Sequence, residues 1–94
     1  MDRMPPERFP LIMFVDVAPS RRAETTVLFY RGEEVSRRDF LLQDLADVLR
    51  FIEIEICERR PDVLLVEVAG VGHMVIDELR RRGIEVTPIR TGRR

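Results

Sequence analysis

VLLVEVAGVG, residues 63–72, is the stretch on which the reading of the fold turns. Val63 to Val66 and Val68 are aliphatic and suit a buried strand, and Ala69-Gly70-Val71-Gly72 makes a glycine turn. Beyond it, Val75, Ile76 and Leu79 recur at helix spacing within His73 to Arg82, and Gly83 is a natural stop. Ile84 to Ile89 then reads as a strand. Strand, turn, helix and strand predict a parallel crossover unit. Set into the first of these strands is Glu67. An unpaired buried carboxylate is costly, so Glu67 must lie at an edge, be neutralised, or hold a cation.

Working back toward the N-terminus, Pro61-Asp62 separates this unit from a longer helix. Leu42, Leu45, Leu49, Ile52 and Ile56 recur at intervals of three and four. FIEIEI, residues 51–56, also alternates like a strand, but the longer stripe runs through it without a turn signal, and the segment is read as helix. Ser36-x-x-Asp39 resembles a capping box and marks the expected helix start. Cys57, the one cysteine, falls in the stripe and is assigned to the core; it leaves no internal disulfide and no cysteine-cluster metal site.

Leu11 to Val17, LIMFVDV, is almost continuously apolar and predicts a central strand covered on both faces. Thr25 to Tyr30 is β-branched and aromatic, a second strand antiparallel to the first, and Glu34 to Arg37 is a short third strand after a tight turn. The element order is β-β-β-α-β-α-β: an α/β chain with a mixed sheet and crossover helices. Residues 1–94 form a single domain, with a lead over 1–9 and a basic tail over 91–94.

The formal net charge is −1, which argues against a wholly basic nucleic-acid coat while leaving room for local basic patches. All 16 basic residues are Arg, which a GC-rich genome explains most simply. No apolar run reaches membrane-span length, and the N-terminus has no signal-peptide pattern, so an intracellular, cytoplasmic protein is expected.

Asp16 interrupts the first apolar run as Glu67 interrupts the fourth strand, each near the C-terminal end. On parallel neighbours about 4.8 Å apart, the two carboxylates would raise one pKa unless a cation sat between them. Hard oxygen ligands suit Mg²⁺ or Mn²⁺, and such ions assist phosphodiester cleavage. The plainer alternative is that Asp16 organises the following turn and Glu67 pairs with an arginine.

FVDVAPS followed by TTVLFY resembles the first hairpin of RNase H-like nucleases, and residues 60–94, RPDVLLVEVAGVGHMVIDELRRRGIEVTPIRTGRR, resemble the nuclease domain of viral DNA-packaging terminase large subunits. The resemblance implies a sheet of order 3-2-1-4-5, with the second strand antiparallel and strands one and four side by side. It implies that Asp16 and Glu67 are metal-binding catalytic residues in Mg²⁺- or Mn²⁺-dependent endonucleolytic cleavage of DNA. The family's third metal-binding acid lies beyond the fifth strand, and no residue here matches it.

Arg21 and Arg22, in the turn after Asp16, and Arg90, leaving the last strand, are candidate phosphate contacts. His73, just after the glycine turn, is a candidate proton-transfer or phosphate contact, although a capping role suits it as well. Asp44 and Asp47 on the first helix are expected to be solvated rather than part of the site. The alternative function is a catalytically inactive, truncated domain acting as a structural or binding module, self-associating as a homodimer through uncovered strand edges.

Overall fold

The computed structural model describes residues 9–19, 23–41 and 44–90. Its elements follow the expected order: β1 (Ile12–Asp16), β2 (Thr25–Arg31), β3 (Glu33–Phe40), α1 (Leu45–Arg59), β4 (Val63–Glu67), α2 (Gly72–Arg81) and β5 (Thr87–Ile89). The five strands form one sheet of order β3-β2-β1-β4-β5. β1–β2 and β2–β3 are antiparallel, and β1–β4 and β4–β5 are parallel. Strands one and four are therefore neighbours, as expected.

Strand alternation divides the sheet into two faces. Met13, Val15, Val27, Phe29, Leu64 and Val66 join the buried cluster with Val48, Leu49 and Ile52 of α1 and Val75, Ile76 and Leu79 of α2. Both helices thus cover the same face. Phe14 and Leu28 belong to the opposite face by alternation and are buried too. That accounts for the absence of polar alternation in the first strand: successive residues Met13, Phe14 and Val15 are all withdrawn from water. At the start of the sheet, the Asp62 carboxylate accepts a hydrogen bond from the Leu11 amide at 2.7 Å, tying β1 to the entry of β4.

Three expectations are corrected. Ser36-x-x-Asp39 starts no helix, because both residues lie within β3, which runs to Phe40. The helix begins after Asp44, whose side chain accepts from the Asp47 amide at 3.0 Å, and Leu42 lies outside the described residues. Cys57 is exposed rather than in the core. On the inward side of α1 the sequence instead places Glu55, which is only 3% exposed.

Glu55 can be buried because two arginines converge on it. Arg38 of β3 donates to Oε1 at 3.0 Å, and Arg59 Nε lies 3.4 Å from Oε2. The guanidinium groups also stack on aromatic rings, Arg38 over Phe40 and Phe51 and Arg59 over Phe29. Phe40 and Phe51 meet at a centroid distance of 4.1 Å. Arg38 and Phe40 thereby face α1, while Arg37 and Asp39 face away. This cluster holds the outermost strand against the helical layer with charge and aromatic surface in place of aliphatic packing.

Candidate functional site

The β1–β4 register pairs Phe14 with Leu65 and Val15 with Val66. The next residues are Asp16 and Glu67, each the last of its strand. Val15 and Val66 are fully buried under the helices, so alternation turns Asp16 and Glu67 to the other face, at the same level and about 4.8 Å apart in backbone spacing. The arrangement supposed from the sequence, two acids at matching depth on adjacent parallel strands, is the arrangement of the backbone. It lies at the carboxyl ends of those strands, where ligands of open α/β sheets gather.

The row extends further. Thr26 of β2 is opposite Asp16, Asp39 of β3 is opposite Thr26, and Ile89 of β5 is opposite Glu67. Thr26 Oγ1 donates to Asp39 at 2.6 Å, and Arg37 Nε approaches its other oxygen at 3.4 Å. The threonine hydrogen bond, aided by Arg37, holds the Asp39 carboxyl below its ordinary value of 3.8. Asp39 stands two strands from Asp16, about 10 Å away, too far to share one ion. Among the described residues no group of three or more His, Cys, Asp or Glu side chains is arranged to hold a metal.

Glu67 sits inside the sheet, between β1 and β5, and is 7% exposed. Its Oε1 lies 3.4 Å from the Ala69 amide in the turn that follows. The two glycines of that turn have different causes. Gly70 has φ 61°, a left-handed conformation that side chains disfavour. A Cβ on Gly72 would run into the Glu67 carbonyl, so α2 starts against the backbone of the acid itself. The spacing Gly-x-Gly is what this close approach needs, and it fixes the main chain at Glu67.

His73 is exposed, and its Nδ1 lies 2.7 Å from the Gly70 carbonyl. A carbonyl only accepts, so Nδ1 carries a proton and Nε2 is left outward. Its contact is with the turn carbonyl; α2 has no side-chain cap, so His73 does not cap the helix. Arg90 is exposed and immediately follows Ile89, which is in register with Glu67. Arg21 and Arg22 lie outside the described residues. Asp44 serves as the helix cap and Asp47 follows it in the first turn of α1.

The donor chemistry fits one small hard cation. Mg²⁺ is ordinarily held through one or two carboxylates, keeps several waters, and takes the remaining ligands from a phosphate substrate. Asp16 and Glu67 would supply that pair. They do not make up the donor set for two ions bridged about a scissile phosphate. No helix among the described residues is long and apolar enough to cross a membrane. No protein-family model, curated protein or solved structure matches this chain.

Proposed function

We propose that this domain uses Asp16 and Glu67 to hold a single Mg²⁺ or Mn²⁺ against a nucleic-acid phosphodiester, as a metal-dependent endonuclease of RNase H-like type. One observation carries the reading: the register sets these two acids side by side at the carboxyl ends of adjacent parallel strands, on one face. When bound, such an ion polarises the phosphate and stabilises the leaving oxygen. The chain's own contribution is positional. The β1–β4 register fixes the spacing of the two carboxylates, and the Gly72 contact holds the Glu67 main chain. Arg90, next to Ile89 in β5, supplies positive charge for the phosphate backbone; Arg21 and Arg22 remain candidates from the sequence alone. DNA is the favoured substrate, following the resemblance of residues 60–94 to terminase nuclease domains.

A second reading has its own support. The described residues offer two acids where two-ion cleavage needs more, which favours a non-catalytic module that keeps the fold. Titrating Mn²⁺ against the wild type and Asp16→Asn, with thermal stability and plasmid nicking as readouts, separates the two. The nuclease reading expects cation-dependent stabilisation and nicking, both lost in the variant. Stabilisation without nicking selects the module, and no cation response in the wild type ends the metal-site proposal.

A further inference from the structure

The two edges of the sheet are built differently. β5 is three residues long and contains Pro88, which has no N–H to offer a neighbour. β3 is eight residues long, contains no proline, and has no strand beyond it among the described residues. Its sequence over 33–38 is EEVSRR: two acids, two uncharged residues, two bases. Turned end for end, it reads as its own charge complement.

Charge complementarity helps a strand pair only when opposed side chains share a face. In a regular strand Glu34 and Arg37, three residues apart, would lie on opposite faces. β3 is not regular. Ser36 pairs with Phe29 and Glu34 pairs with Tyr30, so Val35 is an extra residue in the ladder. Glu34 thus lies opposite Tyr30 and Arg37 opposite Leu28, and those two partners share a face. By the same reasoning Glu33, opposite Arg31, and Arg38, opposite Val27, share the other. The bulge brings the acidic and basic halves into matching phase.

We propose that β3 is a self-association edge, pairing antiparallel with β3 of a second copy about a two-fold axis at Val35–Ser36. Glu34 of each copy faces Arg37 of the other, and Glu33 faces Arg38. The sheet becomes continuous across ten strands. Neither Glu33 nor Glu34 has an ion pair within the chain among the described residues, so both are available to the second copy. Val35, 57% exposed, lies at the axis and gives the edge apolar surface to bury. The proposal is independent of the acids at the far ends of β1 and β4, and of whether they hold a metal.

Sedimentation velocity on the full chain tests it with a charge-swap pair. Glu34→Arg and Arg37→Glu each set like charges opposite one another twice per dimer, and both positions face away from the buried Glu55 cluster. Each variant alone is expected to weaken dimerisation by about tenfold or more, with the melting curve at low concentration unchanged for Glu34→Arg and slightly lowered for Arg37→Glu, which also loses its pair with Asp39. An equimolar mixture restores attraction at both places and is expected to recover the dimer to within a few-fold of the wild type. A wild type that stays monomeric at high concentration overturns the proposal. So do variants that dimerise like the wild type, which would mean another surface is used, or a mixture that does not recover.

Discussion

Gly70 and Gly72 are two residues apart in one turn, and alanine should harm them for unrelated reasons and by different amounts. At Gly70 nothing lies within 4 Å of a new Cβ, and the only penalty is the left-handed backbone at φ 61°. That costs about 1–2 kcal/mol. At Gly72 the backbone is ordinary, but the Cβ would overlap the Glu67 carbonyl oxygen and come within 3.0 Å of its carbon. The obstacle is main chain inside a parallel ladder, which cannot swing aside as a side-chain tip would. Overpacking of a rigid site costs about 1–3 kcal/mol and occasionally more, and a collision with backbone belongs at about 3 kcal/mol or above. In a domain of this size each kcal/mol moves the melting temperature by about 4–8 °C. Gly70→Ala should therefore melt several degrees low, and Gly72→Ala should lose about 12 °C or more, or fail to fold. Circular dichroism melts, checked by urea titration, measure both. Equal losses in the two variants, or a milder loss at Gly72, would refute the claim that α2 is seated on the backbone of Glu67.

Glu55→Gln should lower stability by about 1–2 kcal/mol in urea titration, short of the full cost of a broken buried pair because Arg38 and Arg59 are partly exposed and rehydrate. Asp39 is held below its ordinary pKa in the folded state, so its contribution is present above about pH 4 and is lost as pH falls through the lowered value; Asp39→Asn should flatten the acid limb of a urea-midpoint-against-pH curve, and an unchanged limb would contradict the Thr26 hydrogen bond. Cys57, being exposed, should react with a thiol reagent in the native protein within a few-fold of its rate in urea, and strong native protection would return it to the core.

The sheet was legible where hydrophobicity carries the pattern and obscure where charge does. β1, β4 and their parallel partnership follow from unbroken aliphatic runs, a crossover helix and a glycine turn. β3 is different: its inward residues are Ser36, Arg38 and Phe40, and no apolar alternation announces a strand there. The partner that lets Arg38 face inward, Glu55, is on another element, so local reading found a helix cap at Ser36 and Asp39 instead. The stripe of α1 was legible: Leu49 and Ile52 are buried, and Leu45 and Ile56 pack against the core. Apolarity gave no sign that Glu55 is buried beside them. Of the candidate site, Asp16 and Glu67 were visible as lone acids in apolar strands, and their common face follows from register. Gly72 was visible only as part of a turn, because its contact with Glu67 depends on where α2 begins.

The hydrogen bond from the Leu11 amide to Asp62 joins residues 51 positions apart, and this has a consequence for the order in which the protein folds. The β1–β2–β3 meander joins strands that follow one another in sequence and can form as soon as those residues meet. The seam between β1 and β4 requires α1 to be spanned first, and non-local pairing of this kind slows folding. An early hairpin layer and a late-joining C-terminal unit are therefore expected. Substitution of Asp62 is accordingly expected to act on the rate at which that unit docks, as stopped-flow refolding would register.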